Sequence, residues 1–403
     1  LFDKTLLKKK KIEKKSVMQR VYLDNAATTA IRPEVVDEMA NVMKNVFGNP
    51  SSTHVFGREA KALIELARKN ISQRLNVSPA EIYFTSCGTE SNNTIIRSCV
   101  NDLDVSRIIT SNLEHKCVYE AIKDVESRGK VEVIRLNIFE NGEIDYNQLE
   151  ELLKDHSQKT LVSLMHANNE IGNITDVKRI SKLCQENNTL FHTDTVQTVG
   201  HYDLDFQDLG MDFASCSAHK IHGPKGAGFL YARKSSHIKP LISGGGQERG
   251  MRSGTENVYG IVGLSKAFDL AIDELDQHIQ HIKQIKQYTI DQLQEAIPGV
   301  GFNGLSGDLD KSLYALLSIR LPFHDALIGF ELELAGIAVS QGSACSSGAA
   351  KTSGVISTIC SSEEIERITP LRVSFSHETT KEEIDILIGT LKKITEKNLL
   401  QKA

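Results

Sequence analysis

The sequence predicts an α/β protein, a mostly parallel sheet wrapped by helices, followed by a smaller α+β domain. Two observations carry this. Between about residues 80 and 235, seven short β-rich runs ("EIYFTS", "RIITSN", "VEVIRL", "TLVSLMHA", "TLFHTD", "MDFASCSA" and "GAGFLYAR") alternate with helical patterns. Alternation of this kind builds parallel sheets joined by helical crossovers. The chain is also long enough for a large core and a second one, with 403 residues, 40% hydrophobic and 25% charged.

The elements follow in order. Residues 1–17, "LFDKTLLKKKKIEKKSV", are a lysine-rich run without periodic apolar spacing, expected to be a disordered basic extension. A large domain with an N-terminal arm is expected over 18–260. Within it, "REAKALIELARKNISQRL" (58–75) sets Leu63, Ala67, Ile71 and Leu75 at i, i+4 spacing, the apolar face of a helix. After the seven β runs, a polar helical stretch over roughly 257–296 ends near Pro298 and connects to the small domain. Residues 261–403 thus hold the connecting helix and a C-terminal domain. The latter contains the strand "LYALLSIR", a helix in "HDALIGFELELAG", a segment around Cys345, the strand "LRVSFS" and a last helix. Thr380 and Glu383 have capping-box spacing at the start of that helix.

Composition narrows the function classes. A formal net charge of −5 gives no electrostatic case for nucleic acid or membrane, so small molecules or proteins are the expected partners. No apolar run approaches the ~18 residues of a membrane span and no signal-peptide pattern is present, so a cytoplasmic setting is expected. Seven cysteines without a CxxC pair argue against a disulfide framework and a zinc knuckle. "HKIH" at 219–222 has no nearby cysteine or carboxylate to complete a ligand set, so no metal is expected.

Three strand ends carry groups with chemistry in them. Lys220 follows directly on a β run and precedes "IHGPKG". A lysine there is ordinarily solvated, but the carboxyl edge of an α/β sheet is where ligands bind, and a partly desolvated lysine is a nucleophile. Asp194 ends another β run, with Gln197 one turn on. It could cap the next helix, or face the protonated ring nitrogen of pyridoxal phosphate. In "YFTSCGTESNN" a strand runs into Gly88 and Thr89 and then a helix, the arrangement of a phosphate cradle. Thr89 alone could be an ordinary N-cap. "GPKGAG" precedes a strand rather than a helix, which disfavours a dinucleotide site.

With these residues in view, the chain resembles the cysteine desulfurases of the first group, within the fold-type I, class V aminotransferase superfamily. The similarity runs from about Tyr22 to the last helix. It passes through "YLDNAATT" (22–29), "GNPSSTH" (48–54), "LEHKCV" (113–118), "HANNEIG" (166–172), "DTVQTVG" (194–200), "SAHKIHGPKG" (217–226), "GGGQERGMRSGTEN" (244–257), "GSACSS" (342–347) and "LRVSFS" (371–376). The resemblance implies a fold-type I transferase dependent on pyridoxal 5'-phosphate, with a mixed, mostly parallel seven-stranded sheet. Lys220 then corresponds to the lysine that holds the cofactor, Asp194 to the partner of the ring nitrogen and Gln197 to the donor to the ring hydroxyl. Gly88, Thr89, Ser217 and His219 match phosphate-binding positions. Thr255 matches one supplied by the neighbouring subunit, which implies a homodimer. His115 resembles the imidazole that stacks on the ring and moves protons. Asn169 and Arg372 resemble the pair that holds the ring side and the substrate carboxylate.

The implied reaction converts L-cysteine to L-alanine and leaves the sulfur on Cys345 as a persulfide. A sulfur-acceptor protein such as an iron–sulfur scaffold is the recipient the resemblance implies, and transfer RNA thiolation draws on the same sulfur. This gives a reason for a cysteine in "VSQGSACSSGAAKTSG", where almost nothing offers it packing: a thiol that must travel is unhindered by Ser, Gly and Ala. Such a segment, about 341–352, is expected to be poorly ordered without an acceptor. Selenocysteine lyase, differing in the leaving atom, is the alternative within the superfamily, and a non-catalytic sulfur-relay or scaffold protein is the alternative outside it. Cys87 departs from the family, standing where many relatives have Gly in the cradle, which is expected to narrow the backbone's φ range there.

Overall fold

The computed structural model describes residues 20–341 and 353–400. The basic extension 1–17 and the Cys345 segment, with the expectations attached to them, lie outside the described residues. Val21–Tyr22 forms a short first strand, β1. The seven β-rich runs become seven strands: β2 (Ile82–Thr85), β3 (Arg107–Thr110), β4 (Glu132–Arg135), β5 (Thr160–Ser163), β6 (Leu190–Asp194), β7 (Phe213–Ser217) and β8 (Gly228–Ala232). They form one sheet of order β2-β8-β7-β6-β5-β3-β4. The pairs from β7 through β6, β5 and β3 to β4 are parallel, while β8 is antiparallel to both β2 and β7. Every strand but β8 therefore points the same way, and their carboxyl ends share one edge. β3, β5, β7 and β8 are buried at every position, as strands covered on both faces must be. That is why they read as apolar runs rather than as alternation.

The helix Val55–Arg74 takes the predicted stripe, with Ala67, Ile71 and Leu75 buried and Leu63 partly so. The stretch predicted as one polar helix is two, Val258–Asp273 and Leu275–Ala296, separated at Glu274. Glu274 holds Arg32 at 2.7 Å across the break. The first of the two is not polar. Val258, Ile261, Leu264, Ala267 and Phe268 join the cluster that contains Phe84, Ala214 and Phe229. Ile282, Ile285, Ile290 and Leu293 of the second pack into a separate cluster with Leu317, Leu371 and Val373.

The rest contains β9 (Gly301–Phe302), β10 (Leu316–Leu321), β11 (Ile337–Ala338) and β12 (Thr369–Ser374). β12, β10 and β9 make a three-stranded antiparallel sheet. The last helix, Lys381–Leu400, begins with the expected capping box: Thr380 N–H donates to Glu383 Oε2 (3.0 Å) and Glu383 N–H to Thr380 Oγ1 (3.3 Å).

The arm 21–29 ties the two cores together. β1 pairs in parallel with β11, and Asn25 Nδ2 donates to the Ser374 carbonyl (2.9 Å). A few residues on, Thr29 N–H donates to the His219 carbonyl (2.9 Å) and the Lys220 ammonium to the Ala27 carbonyl (2.8 Å).

Candidate active site

The helix Gly88–Asp102 starts three residues beyond the end of β2, at the carboxyl edge of the sheet. The first N–H groups of a helix have no acceptor within it, and here the N-cap Cys87 supplies none from its side chain. Gly88 is required by space: a Cβ would come within 2.5 Å of Val196 Cγ2 and 4.0 Å of Ser217 Cβ. Ser217 thus faces the helix start, and its buried Oγ has no hydrogen-bond partner among the described residues. An unpaired hydroxyl beside a free helix N-terminus is a cradle for an anionic group. The expected conformational cost at Cys87 is absent. Its φ of −178° is extended backbone open to any residue.

A cavity of about 230 Å³ adjoins this cradle, lined by Gly88, Thr89, His115, Asn169, Asp194, Gln197, Ser217, His219 and Lys220 together with Ala27, Cys87, Asn92, Cys117, Met165 and Val196. Asp194, at the end of β6, is held from several sides. Asn92 Nδ2 donates to its Oδ2 (2.8 Å), and Val196 N–H (2.9 Å) and Ser215 Oγ (3.3 Å) donate to its Oδ1. Lys220 lies three residues past the end of β7 and donates to the Ala26 and Ala27 carbonyls. Gln197 Nε2 donates to the Ala26 carbonyl (3.1 Å), and His219 Nδ1 sits 3.2 Å from Thr28 Oγ1.

The histidines here are biased to the neutral form. Burial, reinforced by Lys220 and Lys225, pushes His219 down to about 4. Burial also lowers His115; Asp194 opposes it and Lys220 adds to it. His115 caps the helix Lys116–Ser127, its Nδ1 accepting from Cys117 N–H (3.2 Å), with Cys117 Sγ at 3.0 Å. Burial, then the Asp194 charge, pushes the Cys117 thiol up to about 12. At neutral pH Cys117 is a thiol, not a nucleophile.

Two of the sequence-predicted residues, Arg372 and Thr255, do not line the cavity. The Arg372 guanidinium stands behind Asn169, donating from Nη1 to the Asn169 carbonyl (2.8 Å) and from Nη2 to Asp24 Oδ1 (2.8 Å) and Ser340 Oγ (2.9 Å). Its fork is thus engaged by the protein, and Nε is buried with no partner among the described residues. Thr255 is exposed and does not line the cavity. Cys345 lies outside the described residues. The glycine-rich segment before Thr255 is braced from within: Glu248 and Arg249 adopt positive φ (44° and 57°). The Glu248 carboxylate accepts from both terminal nitrogens of Arg68 (2.8 Å each) and from Phe84 N–H (2.8 Å).

Sequence reasoning missed Asn92, Cys117 and Glu114. Asn92 follows Gly88 by one helical turn and so shares its face, a spacing that could have pointed to it. Glu114 is buried beside His115, where burial pushes it up to about 8. Its Oε1 accepts from Met165 N–H (2.9 Å), and Oε2 has no partner among the described residues.

Fold and site have the form of an α/β enzyme with a lysine and a carboxylate at adjacent strand ends. The aminotransferase class V family model matches residues 21–387. A cysteine desulfurase IscS from Dictyoglomus turgidum is 41% identical over 386 residues, covering 94% of this chain and 95% of that one. A solved structure described as a NifS-like protein superposes with a TM-score of 0.85 at 36% identity, covering 94% of this chain and all of that one. Another, SspA in complex with cysteine, gives 0.76 at 31% identity, covering 89% of this chain and 100% of that one. The chain belongs to the class V aminotransferase family, in its cysteine desulfurase branch.

Proposed function

We propose that this enzyme binds pyridoxal phosphate in the cavity between Thr89, Asp194 and Lys220 and takes sulfur from L-cysteine onto Cys345, releasing L-alanine. One observation carries the cofactor assignment. The unpaired Ser217 hydroxyl and the free helix N-terminus form an anion cradle in the same cavity as the buried Asp194 carboxylate and the Lys220 amine. These groups fit the phosphate, the ring nitrogen and the aldehyde of that molecule. When bound, it supplies an aldehyde for condensation with amines and an electron sink for charge developing on the substrate carbon.

Each residue then has a task. Gly88, Thr89 and Ser217 hold the phosphate, with His219 beside them. Asp194 keeps a negative charge against the ring nitrogen, and Gln197 serves the ring hydroxyl. Lys220 is the amine that would anchor the cofactor and the base that would take the substrate's Cα proton. His115, neutral because it is buried, can give or accept a proton across the cavity. Asn169 and Arg372 are assigned to the substrate carboxylate, with Arg372 bracing Asn169 through its Nη1 bond to the Asn169 carbonyl. The Cys345 thiolate attacks the sulfur of L-cysteine. An S–S bond forms as the C–S bond breaks, and the carbon fragment keeps the electron pair, takes up protons and leaves as L-alanine.

The solved relative described in complex with cysteine supports the substrate. A homodimer is part of the reading. Thr255 is exposed, and so are the apolar Phe47, Phe56, Leu241 and Ile242. A sulfur-acceptor protein such as an iron–sulfur scaffold, and a reducing cytoplasmic setting that keeps Cys345 a thiol, complete it. Among the described residues no helix is long and apolar enough to cross a membrane.

Two variants test the proposal because they must fail differently. Cys345→Ser should bind the cofactor, change its absorbance on addition of L-cysteine, and release neither alanine nor sulfide at a useful rate. Lys220→Ala should lose turnover by at least the ~10²–10⁴-fold that a general base contributes. Normal desulfuration by Cys345→Ser would leave that cysteine without a catalytic role. Comparing L-cysteine with L-selenocysteine as substrate separates desulfurase from lyase.

A further inference from the structure

We infer that Ser163, His192 and Asn92 form a one-directional hydrogen-bond chain that fixes the Asp194 carboxylate, which makes His192 a positioning residue for the ring-nitrogen contact. The inference rests on the cofactor reading above and adds to it residues that the reaction does not touch.

His192 and Asp194 are two apart on β6, so their side chains leave the same face of the sheet. Asn92, on the helix packed over that face, reaches both. Its Nδ2 stands 2.8 Å from Asp194 Oδ2, and its Oδ1 stands 3.0 Å from His192 Nε2. On the other side, His192 Nδ1 is 2.9 Å from Ser163 Oγ, on the neighbouring strand β5 at the paired register position. Asn92, His192 and Ser163 are all fully buried.

The direction of every bond follows from one end. A carboxylate only accepts, so the Asn92 amide must turn its nitrogen toward Asp194 and its oxygen toward His192. That oxygen only accepts, so His192 Nε2 carries a proton. Burial holds the imidazole neutral, pushed down to about 4 with Asp194 opposing, so Nδ1 is a bare acceptor and Ser163 donates to it. The other Asn92 N–H faces Cys117 Sγ at 3.4 Å, which leaves the amide no second orientation with all its groups paired. Reversing one link would turn the amide oxygen against the Asp194 carboxylate. The chain therefore orients the carboxylate through Oδ2, while Val196 and Ser215 hold Oδ1.

Two measurements test this. Nitrogen-15 NMR of histidine-labelled protein, prepared without added pyridoxal phosphate, should show His192 as the neutral Nε2-protonated tautomer throughout the neutral pH range. The release rate of pyridoxal phosphate, followed by absorbance, should rise about tenfold in His192→Phe, which keeps the ring volume but removes the donor to Asn92. His192→Gln, whose amide nitrogen can replace Nε2 as donor, should recover most of the loss. An Nδ1-protonated or charged His192, or a folded His192→Phe protein that releases cofactor at the wild-type rate, overturns the inference. The tautomer is read without cofactor and without a variant. Failure of the cofactor reading would show separately, as absence of uptake, with the Nε2-protonated signal still supporting the chain.

Discussion

Replacing Ser217 by alanine should make the cofactor-free protein more stable and its cofactor affinity worse. The hydroxyl is buried with no partner among the described residues and does not cap the turn that follows it. An unsatisfied buried polar group costs ~1–3 kcal/mol, so removing it should raise the unfolding free energy of the cofactor-free protein by about 1 kcal/mol. With cofactor present the sign reverses, because the same hydroxyl donates to a phosphate, and a hydrogen bond to a charged group is worth ~1.5–3 kcal/mol. At ~1.4 kcal/mol per tenfold, the dissociation constant should rise by roughly ten- to a hundredfold. Urea denaturation with and without pyridoxal phosphate reads both effects in one experiment, since a ligand that binds only the folded state stabilises it by RT ln(1 + L/Kd), where L is the free ligand concentration. A Ser217→Ala protein that is less stable without cofactor and binds it as tightly as wild type would show that the hydroxyl serves packing and not the phosphate.

Two further substitutions probe the surroundings. Burial raises Glu114 from 4.5 to about 8, so the folded state holds this proton more tightly than the unfolded chain. Its contribution is complete at acid pH and is lost as pH rises through about 8. Glu114→Gln should therefore gain on wild type steadily from pH 5 to pH 8 in urea titrations, and parallel curves for the two proteins would refute the burial argument. Glu248→Ala removes the buried partner of the Arg68 guanidinium, leaving it only the half-exposed Glu65 at 3.3 Å and the Ile82 carbonyl, and frees Phe84 N–H; it should cost about 3 kcal/mol, the lower end of the range for breaking a buried pair. A loss below about 1 kcal/mol, the scale of a surface pair, would mean that water reaches Arg68.

The strands were legible because burial on both faces of a parallel sheet demands uninterrupted apolar runs, and each run ends where a turn begins. Lys220 and Asp194 could be read for the same reason: a lone charged residue at the close of such a run stands at the sheet edge. Burial of Glu248 could not be read. It sits in a glycine-rich run of polar residues, and its partner Arg68 is 180 residues away on a helix that otherwise alternates like a surface one. The break at Glu274 was hidden because no Gly or Pro marks the join between the apolar Val258–Asp273 and the polar Leu275–Ala296, so the two read as one continuous helical stretch. Asn92, His192 and Ser163 come from three separate segments. No local pattern marks a hydrogen-bond chain whose members meet only once two strands and a helix have assembled.

The arm at residues 21–29 bears on how the protein is made. Its strand β1 has its partner at Ile337–Ala338, and Asn25 bonds to Ser374, 349 residues later in the chain. On a ribosome working from the N-terminus, the large sheet can fold while the arm still lacks its partners. The carbonyls of Ala26 and Ala27 then have no fixed position from which to receive Lys220. Catalytic competence should thus arrive late in synthesis, after β12 has emerged. A nascent chain stalled short of that strand would carry a finished sheet and an unfinished site.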